Sequence, residues 1–310
     1  LCVRMKLLPL VLLLSIAPLT LTEVVKDFGR SKCSKFFFRG SNKKSIITPT
    51  AFKGNQYKQI CQHWNKVYRF ATLYDTQRRI PVYSAYILTV QKEKMNLSLP
   101  ENNRKEEWKN EPQLESSRYN EDMKLITDAE MDVYYNQAVT RDYAESQENT
   151  IPGIKYTRGH VFPRQYAADQ FQADSTFTFT NVAPQTQHSN GEWESQVETP
   201  MRNNITNLCS RNYNNPTYIV TGVVPGNKWI RIKRKINNVY KTIDKGVNIP
   251  SYYWTAFCCV HNNVRISKAY LSLQNQPDGR TYEFTEMSVD RLNVQLSRLY
   301  EQEFSVFSKL

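Results

Sequence analysis

Residues 156–198, YTRGHVFPRQYAADQFQADSTFTFTNVAPQTQHSNGEWESQVE, say more about fold and chemistry than the rest of this 310-residue chain. The stretch opens with a tight turn at residues 158–160, continues as a β-rich run that ends at Asn181, and then enters a segment that we predict to be helical. It contains a cation, a potential base, two carboxamides and a carboxylate, namely Arg158, His160, Asn181, Asn190 and Glu198.

These residue types match the needs of phosphodiester hydrolysis. The imidazole of His160 can be neutral at physiological pH and can take a proton from water. The planar guanidinium of Arg158 can donate to two non-bridging phosphate oxygens at once. Gly159, between them, would let the chain turn tightly. The alternative for an isolated RGH is a histidine that serves packing or a surface hydrogen bond.

The later part of the stretch predicts a site for a hard metal ion. Asn190 offers a carbonyl oxygen, which suits Mg²⁺ or a similar cation that keeps most of its water molecules. Glu198 lies eight residues later, which on a regular helix is about 80° around the axis and about two turns along it. From there its carboxylate can hold a water of the ion's hydration shell. The alternatives are a turn at Asn190, a strand-end cap at Asn181, a solvated Glu198, and a core role for Trp193.

The composition is that of a basic globular protein. Hydrophobic residues make up 40% of the chain, and 41 Lys and Arg against 29 Asp and Glu give a formal net charge of +12. Such a charge favours polyanionic partners, because each neutralised phosphate releases condensed counterions. The charge alone does not identify nucleic acid, since many secreted basic proteins bind none.

The first 22 residues have the pattern of a secretory signal peptide. Met5 and Lys6 precede an apolar run, LLPLVLLLSIAPLTLT, after which the chain becomes polar. The run is short for a membrane span, and no later segment is long or apolar enough to cross a bilayer. We therefore predict a secreted, extracellular protein that begins near residues 21–23, with residues 1–4 lying before the initiator. A single domain is expected over residues 23–310, with a polar insert at about residues 91–149.

Five cysteines follow the leader, and in an oxidising compartment they should pair. The preferred set joins Cys33 to Cys61, and Cys209 to either Cys258 or Cys259. Because five is odd, one thiol stays free or links to another molecule. Zinc is the alternative use of cysteine, but no CxxC or HxxxH spacing supports it.

Outside the central stretch, the residue patterns predict further elements. Apolar residues recur at three and four positions in residues 57–70, which predicts a helix, and two β-prone runs follow with a hairpin loop at residues 76–79. Strands are predicted at residues 216–224, 247–259 and 269–276, and an amphipathic helix at residues 291–304.

Residues 228–236, KWIRIKRKI, alternate apolar and cationic side chains, which predicts a strand with one buried face. Arg231, Lys233, Arg234 and Lys235 are expected on the exposed face. That face is either a solvated edge, protected from aggregation by its charges, or a phosphate-binding surface.

The ordered combination resembles the DNA/RNA non-specific endonucleases with a ββα-metal core. The motif of that family reads DRGH, then a TF…N run, then PQ, N, W and E. The counterparts here are Arg158-Gly159-His160, residues 176–181, Pro184-Gln185, Asn190, Trp193 and Glu198.

The resemblance implies an α+β fold in which a ββα-metal core lies on a mainly antiparallel sheet flanked by helices. It also implies a general-base role for His160, phosphate contacts by Arg158, and metal ligation by Asn190 with Mg²⁺ or Mn²⁺. Glu198 would position water, and Asn181 would support the histidine or the phosphate. An upstream arginine often joins the site in this family, and Arg104 is the candidate.

One position departs from the family motif, because Thr157 stands where an acidic residue is usual. The loss of that charge would act on the orientation of His160 or on the metal site, and not on the base or the ligand itself. The main hypothesis is therefore a metal-dependent nuclease that acts on the backbones of DNA and RNA. The alternatives are a catalytically weakened protein that binds nucleic acid or sulfated glycans, and a cysteine-linked interaction module.

Overall fold

A computed structural model of the chain describes residues 23–40, 45–88, 106–146, 148, 150, 154–209, 216–262 and 264–307. The predicted leader, Arg104 and the first part of the polar insert lie outside the described residues. Among those that are described, no helix has both the length and the apolar character needed to cross a membrane.

Strands dominate the fold, as expected from a chain rich in aromatic and β-branched residues. The strands are β1 (Val24–Val25), β2 (Phe38–Arg39), β3 (Ile46–Ile47), β4 (Tyr57–Trp64), β5 (Val67–Asp75), β6 (Ile80–Leu88), β7 (Tyr156–His160), β8 (Val182–Thr186), β9 (Thr217–Val224), β10 (Lys228–Ile236), β11 (Val239–Ile249), β12 (Tyr252–His261), β13 (Val264–Leu273) and β14 (Thr285–Met287).

Eight of these strands form one sheet in the order β1-β4-β5-β6-β9-β12-β13-β14. Every neighbouring pair in that sheet is antiparallel. The remaining strands form two-stranded sheets, β2 with β3, β7 with β8, and β10 with β11. The predicted mainly antiparallel sheet is therefore confirmed.

Seven α-helices lie in the described part of the chain, and most are short: α1 (Pro112–Glu115), α2 (Asp128–Met131), α3 (Thr140–Ala144), α4 (Gln170–Ser175), α5 (Gln187–Trp193), α6 (Thr199–Cys209) and α7 (Val289–Leu299). A π turn at Glu194–Glu198 joins α5 to α6. Trp193 and Ile205, from these joined helices, pack on one face of the large sheet, while Leu292 and Leu296 of α7 pack on the other. The helices therefore flank the sheet, as predicted, and Trp193 is a core residue.

The helix predicted at residues 57–70 is wrong, because this segment forms the β4–β5 hairpin. Asn65 and Lys66 both have positive φ, 52° and 61°, as a two-residue hairpin turn requires. The spacing of the apolar residues fitted a helix only because both strands bury residues on their two faces. The hairpin loop predicted at residues 76–79 is confirmed, since it joins β5 to β6.

Two local predictions within the central stretch are also wrong. Residues 158–160 lie in strand β7 and not in a tight turn. The run that ends at Asn181 is not a strand, because Phe179–Asn181 forms a 3₁₀ turn and the strand begins at Val182. Threonines in this run instead donate hydrogen bonds to buried acceptors, for example Thr178 and Thr180 to Glu111 at 3.1 Å each.

The cationic face predicted for residues 228–236 needs one correction, at Arg234. The strand itself is confirmed as β10, with Arg231 and Lys233 exposed. Arg234 is fully buried and makes a bidentate ion pair with Asp142, with two N–O distances of 2.7 Å. A buried guanidinium is tolerable here because a carboxylate and backbone carbonyls satisfy its donors.

Two disulfides bond Cys33 to Cys61 and Cys209 to Cys259, in agreement with the predicted pairing. The second resolves the choice between adjacent cysteines. Cys258 is unpaired and buried, and burial raises the pKa of its thiol to about 12. Cys258 is therefore the odd thiol among the described residues, and its predicted link to another molecule stays a prediction.

Candidate active site

The core of the site is a ββα unit built by β7, β8 and α5. Strands β7 and β8 pair antiparallel, with Thr157 opposite Gln185 and His160 opposite Val182. Helix α5 begins directly after β8, and the hydroxyl of Thr186 accepts a hydrogen bond from the backbone of Ser189, as an N-terminal cap does. The central stretch of sequence therefore folds into the predicted ββα arrangement.

Gly159 is required by close packing and not by a turn. A Cβ atom at this position would lie 1.9 Å from Oε1 of Gln185 and 2.7 Å from the hydroxyl of Tyr253. Both neighbours are fully buried, so they have no room to withdraw. Any larger residue would therefore push β7 away from β8, and with it the residues on either side of Gly159.

Arg158 and His160 lie on the same face of β7, because side chains alternate along a strand. Trp108, from the segment that leads to α1, contacts both of them. The Arg158 guanidinium carbon lies 4.8 Å from the centre of the Trp108 ring, and the Trp108 and His160 ring centres are 5.6 Å apart. Phe177 closes the other side of the imidazole with an edge contact at 5.0 Å.

The guanidinium of Arg158 is partly buried and keeps an unused hydrogen-bond donor. Burial lowers the pKa of its guanidinium, and its Nε is buried without a hydrogen-bond partner. The ring of Tyr143 in α3 lies 5.7 Å from the guanidinium. An arginine held over aromatic faces keeps its charge while its donors remain only partly satisfied.

Asn181 supports the backbone that follows His160. Its side-chain oxygen accepts hydrogen bonds from Ser84 Oγ and from the backbone N–H of Phe162, both at 2.9 Å. Its side-chain nitrogen donates to the backbone carbonyls of Phe162 and Thr176, both at 3.1 Å. The carboxamide is fully buried, and all four of its hydrogen bonds are made with groups of the protein itself.

Asn190 is held by the residue that departs from the family motif. Its side-chain nitrogen donates to the hydroxyl of Thr157 at 3.4 Å, and that hydroxyl donates to the carbonyl of Gln185 at 3.0 Å. With its nitrogen turned toward Thr157, the amide presents its carbonyl oxygen in the other direction. Thr157 thereby fixes which end of the Asn190 amide is offered to a ligand.

Glu198 is the last residue of the π turn and is buried, which excludes the solvated alternative. Burial raises the pKa of its carboxyl from the ordinary value of 4.5 to about 8. A hydrogen bond from Gln165 at 3.1 Å lowers the pKa, but burial has the larger effect. The π turn also changes its direction relative to Asn190 from the one expected on a regular helix. Such turns are frequent at functional sites.

The structure thus brings the predicted residues together in two groups around one strand. Arg158 and His160 share one face of β7 with Trp108, while Thr157 holds Asn190 on the side of α5. Thr157 and His160 are three residues apart, about 10 Å along the strand, and their side chains therefore point to opposite faces of β7.

The residues present fit a hydrated Mg²⁺ or Mn²⁺ better than a metal held by a cage of protein ligands. No group of three His, Cys, Asp or Glu side chains suited to a metal occurs in the described part of the chain. Asn190 nevertheless presents an amide oxygen whose orientation Thr157 fixes. Mg²⁺ commonly keeps several waters and takes only one or two protein ligands, so this donor set suits it.

Three contributors were not predicted as site residues, namely Trp108, Phe177 and Gln165. Trp108 stands in a charged, polar segment, where a lone tryptophan signals a packed position. Its pairing with Arg158 could not be read from sequence, since the two lie fifty residues apart along the chain. Phe177 lies in the run 176–181 that resembles the family motif, whereas Gln165 carries no sequence signal that separates it from ordinary loop residues.

The family model for the DNA/RNA non-specific endonucleases matches residues 48–307. The chain belongs to this family of nucleases. It is similar to the Endonuclease domain-containing 1 protein of Homo sapiens, with 30% identity over 239 residues, which is 76% of this chain and 40% of that protein. The mouse protein of the same name, from Mus musculus, is 27% identical over 231 residues, 74% of this chain and 39% of that protein.

This chain therefore spans about two fifths of the length of these two relatives. Among solved structures, a chain in the crystal structure of the EndoG/EndoGI complex is similar at 14% identity and a TM-score of 0.48. That alignment covers 87% of this chain and 88% of the other.

Proposed function

We propose that this protein is a secreted, metal-dependent endonuclease that hydrolyses phosphodiester bonds of DNA and RNA with little sequence preference. The observation that supports this most directly is the arrangement on β7. A histidine and an aromatic-stacked arginine share one face, and the adjacent threonine orients the amide of Asn190. Contacts of these groups with the sugar–phosphate backbone would carry no base information, which is why we propose little sequence preference.

His160 is the proposed general base that takes a proton from the attacking water. Arg158 would donate from its guanidinium to the non-bridging oxygens of the phosphate, where negative charge increases in the transition state. Asn181 would act through the backbone, because its four hydrogen bonds hold the segment that follows His160. Trp108 keeps bulk water from one side of both catalytic groups.

Asn190 is the proposed protein ligand for Mg²⁺ or Mn²⁺. When bound, the ion would stabilise the charge on the phosphate and on the leaving oxygen. Glu198 would accept a hydrogen bond from a water of the ion's hydration shell, which requires the carboxylate form. Burial raises the pKa of this carboxyl to about 8, and a bound cation would lower that pKa and favour the carboxylate.

The test is cleavage of supercoiled plasmid and of RNA by the oxidised protein, beside His160→Ala, in Mg²⁺ and in EDTA. We expect cleavage that needs the metal and falls at least about 100-fold in the variant, as the loss of a general base does. A well-folded wild type that cuts neither polymer in Mg²⁺, Mn²⁺ or Ca²⁺ would refute the proposal.

A catalytically weakened protein that binds nucleic acid or other polyanions is the second candidate. Thr157 favours it, because a hydroxyl brings no negative charge to the site, and the neutral form of Glu198 at physiological pH favours it too. Retention on heparin does not separate the two candidates, since both have a basic surface. Turnover separates them.

We also propose that the protein works outside the cell. The two disulfides support this location, because such bonds form and persist in oxidising compartments. Expression in cultured cells, followed by assay of the medium and of the cell lysate, tests it.

A further inference from the structure

The β10–β11 hairpin concentrates much of the positive charge of the chain. Its 22 residues, Lys228–Ile249, contain seven Lys and Arg and a single acid, Asp244. The net charge of the hairpin is therefore +6, half of the +12 that the whole chain carries. Five of its cations are exposed: Lys228, Arg231, Lys233, Lys241 and Lys245.

The geometry of the hairpin places cations and an aromatic ring on one outer face. Arg231, Lys233 and Lys235 alternate along β10 with inward-facing residues, and Lys235 stands opposite Tyr240 on β11. Residues directly opposite each other in an antiparallel pair share a face. Tyr240 is 57% exposed, and the Lys235 ammonium lies 6.0 Å from its ring.

The hairpin has a defined, rigid shape. Asn237 and Asn238 form its two-residue turn with φ values of 51° and 60°, the left-handed conformation that tight hairpin turns of this kind use. On the inner side, the fully buried Arg234 makes its bidentate ion pair with Asp142 of α3. A buried ion pair with two parallel hydrogen bonds allows only one relative position of its partners. The pair therefore fixes the orientation of the hairpin relative to α3.

That orientation brings the hairpin beside the candidate active site. Tyr143, the neighbour of Asp142 in α3, lies under the guanidinium of Arg158. Strand β11 packs against β8 and α3 contacts both β10 and β7, so the hairpin is attached directly to the ββα unit. A polymer bound at Arg158 and His160 would pass along a cationic surface if it continued in this direction.

We infer that the outer face of the β10–β11 hairpin is an arm that holds the sugar–phosphate backbone of nucleic acid next to the bond that is cut. The inference rests on the proposed function, because the bound polymer is taken to be the substrate. Exposed cations beside an exposed aromatic ring are the groups that bind phosphates and stack on bases. An acidic protein partner would be matched by the charge, but it would not account for the attachment of the hairpin to the ββα unit.

The test uses the triple variant Arg231→Gln, Lys233→Gln, Lys235→Gln on the full chain. Its matched control removes three exposed lysines from the N-terminal region, by Lys26→Gln, Lys32→Gln and Lys53→Gln. Fluorescence anisotropy of a short labelled duplex is measured in EDTA, so that no strand is cut, across a series of salt concentrations.

We expect the arm variant to bind at least about 10-fold more weakly than wild type at near-physiological salt, and its log–log salt slope to be smaller by about 2 to 3. The control should stay within about twofold of wild type. A charge-preserving variant, Arg231→Lys, Lys233→Arg, Lys235→Arg, should bind like wild type, which separates loss of charge from loss of fold.

Equal binding by the arm variant and the control would overturn the inference. Loss of heparin affinity with duplex affinity retained would also overturn it, since the arm would then serve a sulfated glycan. Failure of the proposed function has a different signature. If the wild type binds duplex through the arm but cuts neither DNA nor a small phosphodiester, the proposed nuclease activity is refuted. The binding role of the arm is then still supported.

Discussion

The side-chain nitrogen of Asn190 donates a hydrogen bond to the hydroxyl of Thr157 at 3.4 Å, and this contact ties α5 to β7. A threonine can therefore orient the amide by accepting this hydrogen bond, as the acid that is usual at this position could also do. The hydroxyl is neutral, however, so it exerts a weaker pull on the amide and on any cation nearby.

The first prediction concerns this contact. Thr157→Val removes the acceptor at almost constant volume, and we expect cleavage to fall by about 10 to 100-fold with a higher Mg²⁺ concentration at half-maximal rate. Thr157→Ser is the matched control and should keep most of the activity. Thr157→Asp should equal or exceed wild type. Initial rates on plasmid across a Mg²⁺ titration measure all three, and a fully active Thr157→Val would contradict the role given to the hydroxyl.

The second prediction concerns the aromatic support of Arg158. Trp108→Leu removes the ring that stacks on the guanidinium and flanks His160, so kcat/KM on DNA should fall by about 5-fold, in line with a cation–π contact of about 1 kcal/mol. Trp108→Phe retains a ring and should lose less. Steady-state kinetics, with thermal unfolding to confirm folding, make the comparison. Unchanged kinetics in the leucine variant would show that Arg158 holds its position unaided.

The third prediction concerns the pH dependence of cleavage. The pKa of Glu198 is raised to about 8, so its carboxyl is neutral below that pH and becomes anionic above it. If the anion is the active form, the rate at low Mg²⁺ should rise with pH through about 8. A higher Mg²⁺ concentration should move the midpoint to lower pH, because a cation favours the carboxylate.

Glu198→Gln should lose this alkaline step while its binding of DNA in EDTA stays near wild type. pH–rate profiles at two Mg²⁺ concentrations, for wild type and variant, measure the effect. If the alkaline midpoint of the pH–rate profile does not change with Mg²⁺ concentration, or if the step remains in Glu198→Gln, a group other than Glu198 is responsible.

The fourth prediction concerns stability. Glu23 and Glu111 are fully buried. Burial raises the pKa of both, and the nearby charge of Glu111 raises the pKa of Glu23 further. A carboxyl whose folded pKa is raised contributes stability that is complete below its unfolded pKa and is lost as pH rises toward the folded value. Wild type should therefore lose stability as pH rises from the ordinary carboxyl range.

Glu111→Gln should reduce this loss, because an amide keeps the acceptor for Thr178 and Thr180 and can donate to Glu23 without any charge. Urea unfolding at several pH values should show a shallower decline, with the variant more stable by about 1 to 2 kcal/mol at pH 8. The exposed Glu283→Gln is the control. Parallel curves for wild type and Glu111→Gln would mean that the pair does not titrate in this range.

Sequence reasoning predicted the parts of the fold that depend on local pattern. The ββα unit could be predicted because its residues are contiguous, and strand β9 because its residues are β-prone and uncharged. The helix predicted for residues 57–70 was wrong, because a hairpin that buries side chains on both faces can show the three- and four-residue spacing of a helix. The turn at Asn65 was the signal that could have corrected it.

The site itself was predictable in its residue types and not in its contacts. Arg158, His160 and Asn190 follow from the order of groups along the chain. The burial of Glu198 and the stacking of Trp108 depend on segments that meet only in three dimensions. Arg234 shows the same limit, because its charge assigned it to solvent although alternation places it on the same face as Ile232. The ion pair with Asp142 explains why that charge can be buried.

The adjacent cysteines of β12 have a consequence for how the chain matures. Because neighbours on a strand face opposite sides, only Cys259 points toward Cys209, while Cys258 faces the core beneath α7. A slip of β12 by one residue would exchange the two and seal a wrongly paired sheet with a covalent bond. Oxidation after β12 has paired with its neighbours gives only the Cys209–Cys259 bond, so the native register of the central strands selects the native disulfide.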